Sequence, residues 1–279
     1  MTPPTHDSSN ANIAFIGGGN MASALIGGLL RRGLPASQIQ VIEPFAGQHA
    51  RLVSQFGVAV SEAPSVGLQR ASLVVWAVKP QTFRDAAAQS RAHTQGALHL
   101  SVAAGIRSDT IANWLGTERV VRAMPNTPAL IGQGITALFA RSAASAADRL
   151  EVEQVVQTTG KFLWLEQETQ LDAVTALSGS GPAYVFYFIE AMIQTGTEMG
   201  LSPEQARQLA VGTFVGASAL AKEATEPLEV LRERVTSKGG TTHAALMSME
   251  QGGIKAAFVQ AIYAARQRAK DMGEEFGAA

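Results

Sequence analysis

The chain has 279 residues, 46% apolar and 16% charged, with 22 Lys and Arg against 23 Asp and Glu and no cysteine. That length and apolar content suffice for two domains with buried cores, and the near-neutral charge lacks the basic footprint of a nucleic-acid binder, which favours a small-molecule partner. The missing cysteines exclude disulfides, thiolate metal sites and thiol nucleophiles and fit a reducing, cytoplasmic location, and no apolar run approaches the ~18 residues of a membrane span.

Residues 1–10 are polar and contain proline, with no apolar run or cationic flank, so they predict a disordered leader and not a secretion signal. From 11 to 165, short apolar runs alternate with amphipathic segments, the pattern of a parallel sheet with crossover helices. The expected strands are Asn12 to Ile16, Ile39 to Glu43, Leu73 to Ala77, Leu98 to Val102, Val120 to Met124, Thr136 to Phe139 and Phe162 to Leu165. Segments such as Met21 to Arg32 and Gly47 to Phe56 are long enough to cross over as helices, and right-handed crossovers give an α/β, doubly wound sheet. From 166 to 279 no further β-branched run occurs, and an all-α domain is expected. Its helices run from Gln167 to Leu177, Pro182 to Met199, Pro203 to Glu223, Pro227 to Val235, Thr241 to Glu250 and Gly253 to Phe276. Pro182, Pro203 and Pro227 suit a first helical turn, with Ser202 as a cap. Tyr184 to Ile189 has no solvent side, and Gly212 and Gly216 lie one turn apart, which lets another backbone approach closely. These features predict a homodimer through the helical domain; one helix buried in a monomeric bundle is the alternative.

The first chemical signal is Ile16 followed by Gly17, Gly18, Gly19, Asn20, Met21 and Ala22. A strand delivers the chain to a tight turn at Gly17, Gly19 lets a pyrophosphate touch the backbone, and Ala22 permits close helix–strand packing. The helix start then faces the phosphates with its free N–H groups and dipole, so a dinucleotide is expected here. Glu43 closes the second strand near the ~20-residue offset at which an acidic side chain binds the adenosine ribose. A carboxylate there repels a 2′-phosphate and argues for NADH, although His49 and Arg51 follow closely; an exposed strand-end charge is the plainer reading. Later strand ends, Ala77, Val78, Lys79 and Pro80, then Ala103, Ala104 and Gly105, should line the same crevice, with Lys79 either a cation beside the cofactor or a solvated helix-start residue. Three polar, small-residue islands leave N–H groups free near helix starts and imply an anionic substrate: 124–128, 178–184 and 236–242.

Together, Phe15 to Ala22, Ala77 to Pro80, Arg122 to Ala129, Asp172 to Tyr184 and Val235 to Thr242 resemble the pyrroline-5-carboxylate reductase family over nearly the whole chain. The resemblance implies a Rossmann-type nucleotide-binding domain followed by an all-α dimerisation domain, with homodimers often assembled further into a larger ring. It implies reduction of L-1-pyrroline-5-carboxylate to L-proline, the last step of proline biosynthesis, with NADPH or NADH as hydride donor. In those terms Ser237, Gly240, Thr241 and Thr242 hold the substrate, the N–H groups of Gly240 and Thr241 taking its carboxylate. Glu168 falls where the family has a substrate-contacting acid, and Thr242 donates to the imine nitrogen, unless it simply caps its helix. His243 ranks below Thr242 because helical neighbours point about 100° apart. Lys238 stands where the family commonly has Pro, and Glu62-Ala63-Pro64 lacks an Asn often seen near the ribose.

Two rival readings remain. A β-hydroxyacid dehydrogenase would need a catalytic lysine on a second-domain helix, for which Lys222 is the obvious candidate, and a nucleotide-sensing binding module would keep the fold without turnover. The absence of Cys and of paired His spacing argues against a protein-held catalytic metal.

Overall fold

The structure is a computed structural model that describes residues 12–277, so the expected leader lies outside the described residues. By packing, the chain forms two compact units: one running to Gly179 and resuming at Ala265, the other Ser180–Ala264. The change of composition had suggested a boundary after 165. Packing carries the first unit further, because Leu171 and Ala176 are buried and Glu168 and Asp172 are tied to arginines of that unit.

In the first unit the elements are β1 (Ile13–Ile16), α1 (Asn20–Arg31), β2 (Ile39–Ile42), α2 (Ala46–Phe56), β3 (Ala59–Ser61), β4 (Leu73–Trp76), α3 (Pro80–Ser90), β5 (Leu98–Ser101), α4 (Ser108–Leu115), β6 (Val120–Met124), β7 (Gly134–Ala140), α5 (Ala146–Val156), β8 (Gly160–Trp164) and α6 (Gln170–Val174). The strands form one eight-stranded sheet in the order β3-β2-β1-β4-β5-β6-β7-β8. β1 and β4 are buried at every position, as strands covered on both faces must be. One apolar core lies around Phe15, Ile26 and Leu100, another around Trp76, Phe83 and Ile111.

Two departures from the expected sheet have local causes. β3 is only three residues, with no buried position, and exists through its pairing with β2. β7 runs antiparallel to β6, because only Pro125 to Gln133 join them, fewer than the dozen or so residues a parallel crossover needs.

The second unit contains α7 (Gly181–Glu198), α8 (Pro203–Glu223), α9 (Leu228–Arg234), α10 (Thr241–Gln251) and the first part of α11 (Ile254–Gly277), which from Ala265 onward belongs to the first unit. Ser202 caps α8 in a reciprocal capping box with Gln205, and Pro203 opens the helix. The expected helix from Gln167 is only partly regular: α6 ends at Val174 and a π-turn follows over Thr175–Gly179. Tyr184 and Phe188 pack edge-on against Phe258, with ring centroids 5.6 Å apart in each pair. Phe186, Tyr187, Val215 and Leu220 are exposed, and the positions beside Gly212 and Gly216 are open. Among the described residues no helix is long and apolar enough to cross a membrane.

Candidate active site

The crevice begins where strands end together. Ile16 pairs with Ile42 and Trp76, and Trp76 with Ser101, so β2, β1, β4 and β5 finish level at one edge of the sheet. Strand order reverses between β1 and β4, the position at which doubly wound sheets bind ligands. Gly17 leaves β1 at φ +93°, and any Cβ there would sit 2.7 Å from the Ala77 carbonyl oxygen. Only glycine fits both the backbone angle and the space. Gly19 is the reverse case: a Cβ would meet nothing within 4 Å, so the backbone before α1 is open to a large group. Gly19 caps α1 without a side-chain bond and no acid occupies the first turn, which leaves the N–H groups of Asn20, Met21 and Ala22 unpaired within the helix. This donor set fits a pyrophosphate.

Glu43 does not stand as an exposed strand-end charge. It is 5% exposed, and its carboxylate accepts from Gly18 N–H at 2.8 Å and Phe45 N–H at 3.0 Å. Gln48 donates to the Gly18 carbonyl, and a Cβ on Gly18 would collide with Leu52. The middle glycine, which the motif treats as a free position, is therefore the best-braced residue of the turn. Lys79 is exposed and precedes α3, with Thr82 donating to its carbonyl. Ala103 is buried, Ala104 is half-buried, and Gly105 turns at φ +76°.

In the second unit, Gly239 has φ +78° and Gly240 caps α10 with no side-chain bond. The Gly240 N–H already donates to the Ser237 carbonyl at 3.0 Å, contrary to its expected availability, because the chain closes a tight turn before the helix. The unpaired donors are one step later, on Thr241, Thr242 and His243. Thr242 is half-buried, whereas Ser237 and Lys238 are exposed.

Glu168 lies in the first unit with its carboxylate committed. One oxygen accepts from Ser108 N–H and Arg122 Nη1, each at 2.6 Å, and the other from Ser108 Oγ at 2.6 Å. Burial pushes this carboxyl upward, but the Ser108 hydroxyl and the Arg122 charge outweigh it and hold Glu168 below its ordinary value. Burial in turn lowers Arg122, against the opposing pull of Glu168. Arg107 pairs with Asp172 at 3.2 Å, and Arg141 reaches Ser108 Oγ at 3.2 Å. The expectation of an acid in contact with substrate thus meets a carboxylate already occupied by protein donors. The serine and arginines were not singled out from sequence. An arginine inside the apolar run Val120 to Met124 was the available signal, since a buried charge demands a partner.

In the first island, 124–128, Asn126 Oδ1 accepts from Ile135 N–H at 3.0 Å and braces the β6–β7 turn. Among the described residues no group of three or more His, Asp or Glu side chains could hold a metal ion.

A pyrroline-5-carboxylate reductase of Pseudomonas aeruginosa is 44% identical over 272 residues, covering 96% of this chain and 99% of that protein. The chain belongs to the pyrroline-5-carboxylate reductase family. Residues 168–272 match the family described as pyrroline-5-carboxylate reductase dimerisation, and residues 12–105 match NADP oxidoreductase, coenzyme F420-dependent. The solved pyrroline-5-carboxylate reductase of Coxiella burnetii superposes with a TM-score of 0.87 at 34% identity, over 94% of this chain and 98% of that one. The Plasmodium falciparum enzyme, solved with NADP bound, gives 0.86 at 27% identity, over 95% and 98%. The family accounts for a nucleotide-binding unit followed by a helical one, and for the exposed apolar helices of the latter as a dimerisation segment.

Proposed function

We propose that the chain reduces L-1-pyrroline-5-carboxylate to L-proline, with α10 supplying the substrate contacts and Thr242 acting on the ring nitrogen. The observation that carries this reading is the uncapped start of α10, with Thr241 and Thr242 N–H groups unpaired beside a half-buried threonine hydroxyl, in a chain of this family. Those N–H groups and the helix dipole suit the substrate carboxylate. The turn closed by Ser237 and Gly240 fixes their direction.

When bound, the reduced nicotinamide dinucleotide supplies the hydride that adds to C5 of the ring. Gly17 to Met21 would hold its pyrophosphate at the open start of α1, and Ala77 to Pro80 and Ala103 to Gly105 would line the crevice beside it. NADPH is supported by the NADP-associated match over residues 12–105, and NADH by the acid at Glu43. Thr242 Oγ1 hydrogen-bonds to the imine nitrogen, or passes it a proton while taking one from water; in either case water supplies the proton that the nitrogen gains as C5 gains hydride. Most of the acceleration comes from holding donor and acceptor carbon in contact. The working form is a homodimer through the helical unit, assembled further into a ring, in the cytoplasm.

The test is steady-state reduction of pyrroline-5-carboxylate by Thr242→Ala and Thr242→Ser. The alanine variant should lose about tenfold to a hundredfold in kcat with the cofactor KM within about threefold of wild type, and serine should restore most of it. Unchanged turnover in Thr242→Ala removes the hydroxyl from the mechanism.

A further inference from the structure

The loop between β5 and α4, Val102 to Arg107, contains the cofactor-lining candidates Ala103, Ala104 and Gly105; its β5 end is held by Val102 N–H on the Trp76 carbonyl and Ala103 N–H on Ser101 Oγ, whereas its α4 end is held from outside the loop. Arg107 precedes α4 but its side chain makes no cap. The bond that would cap α4 comes instead from Glu168, sixty residues away in sequence. We infer that Glu168 is a positioning residue for hydride transfer: by capping α4 from outside, it fixes the β5–α4 loop against the nicotinamide.

Three observations converge on this role. Glu168 binds Ser108 twice, through backbone N–H and hydroxyl, both at 2.6 Å, so α4 can neither shift along its axis nor rotate without breaking a bond. The same carboxylate is anchored to β6 through Arg122 at 2.6 Å, which ties the helix start to the sheet. Lastly, the loop is closed on its other side by the end of α11: a Cβ on Gly105 would lie 2.9 Å from Met272 Cβ, and one on Gly273 would lie 2.9 Å from Arg107 Nε. Arg107 itself is held by Asp172. With α11 packed there, the start of α4 is the loop's remaining adjustable end, and Ser108 is only three residues beyond Gly105. A negative group at a helix start is also favoured by the helix dipole.

This inference rests on the proposed reaction, and its test separates the two. Glu168→Gln keeps the shape and removes the charge, and Ser108→Ala removes one arm without changing charge. Wild type and variants are compared for kcat, both KM values, the deuterium isotope effect with 4-deuterated NADPH, and, without cofactor, amide hydrogen exchange in peptides covering residues 102–108. The expected result is faster exchange in those peptides, a kcat at least tenfold lower in Glu168→Gln with a larger isotope effect, and a pyrroline-5-carboxylate KM within threefold. Ser108→Ala should show the same pattern more weakly. A raised substrate KM with unchanged kcat would instead make Glu168 a direct substrate contact and overturn the inference. Unchanged exchange, or a loss explained wholly by fewer folded molecules at wild-type turnover, would overturn it as well. Wild-type protein that does not reduce pyrroline-5-carboxylate would defeat the proposed function, while the exchange measurement would still decide whether Glu168 holds the loop.

Discussion

Replacing Glu43 with Gln tests two roles that the structure superimposes on one side chain. As a brace, the carboxylate accepts from Gly18 N–H at 2.8 Å and Phe45 N–H at 3.0 Å. Hydrogen bonds to a charged group contribute roughly 1.5–3 kcal/mol and neutral ones roughly 0.5–1.5 kcal/mol, so neutralising the acceptor costs about 1 kcal/mol per bond. The amide nitrogen of Gln also confronts one of the two N–H donors and leaves it unpaired, which adds about 1–3 kcal/mol. Burying a neutral amide is easier than burying a carboxylate and returns part of this. The net loss should be about 1–3 kcal/mol, read as a lower urea midpoint with an unchanged m-value. As a discriminator, the carboxylate repels a 2′-phosphate, and one like-charge contact removed is on the order of 1–2 kcal/mol. The ratio of kcat/KM for NADPH over NADH should therefore rise about five- to thirty-fold even as the protein becomes less stable. A stable variant with wild-type cofactor ratio refutes both halves; lost stability with an unchanged ratio leaves Glu43 as a brace alone.

Two further outcomes follow from the same physics. His99 is buried beneath Trp76, whose Nε1–H donates to Nδ1 at 3.0 Å, and burial is the main reason its pKa falls from 6.5 to about 4. Between those values the unfolded chain binds a proton that the folded one refuses, so stability should fall by about 3 kcal/mol as pH drops from 6.5 to 4 and not change on this account above 6.5; urea titrations of wild type and His99→Asn should diverge only in that window. Because Phe186 and Tyr187 are 59% and 71% exposed in the single chain, the helical unit should gain its core by pairing. Hundredfold dilution should then lower the melting temperature by several degrees, and a concentration-independent value would show that the chain is stable alone.

The parts of the fold legible in the sequence were those set by nearest neighbours. Gly17 is readable because a tight turn excludes a Cβ whatever lies elsewhere, and β1 and β4 because strands buried on both faces are apolar throughout. Ser202 and Pro203 announce α8 for the same local reason. What stayed hidden depends on partners distant in sequence. β3 has no buried position and is created by β2, and the Glu168 cap joins residues 60 positions apart. The Ser237 to Gly240 turn consumes an N–H that the spacing alone left free. Glu43 was legible as a residue of the cofactor turn but not as the acceptor of Gly18, since side-chain direction follows from the packing of α2 against the turn.

The helix starts show how these local and distant choices serve one chemistry. α1, α2 and α3 follow β1, β2 and β4 and begin at the edge where those strands finish, and none has a side-chain cap or an acid in its first turn. α5 follows the antiparallel β7 and so begins at the opposite edge, where Ser145 and Asp148 close it with a complete capping box. Orphan N–H groups and the positive end of the helix dipole are unfavourable unless something negative meets them. A chain that fills this requirement at α5, meets it at α2 through the Glu43 carboxylate on Phe45 N–H, and leaves it open at α1 and α3 has concentrated its unmet demand for an anion at that edge. α4 tests the rule from inside: it begins at the same edge, yet its demand is met by Glu168 on Ser108 N–H and by Asp109 of its own first turn on Thr110 N–H, so the open starts are not a general property of that edge. In the second unit the same contrast recurs between α8, closed by Ser202 and Gln205, and α10, left open after Gly240. A dinucleotide pyrophosphate and a substrate carboxylate are the two anions the reaction requires, and the uncapped starts of α1 and α10 are the places where the chain's own side chains do not compete with them.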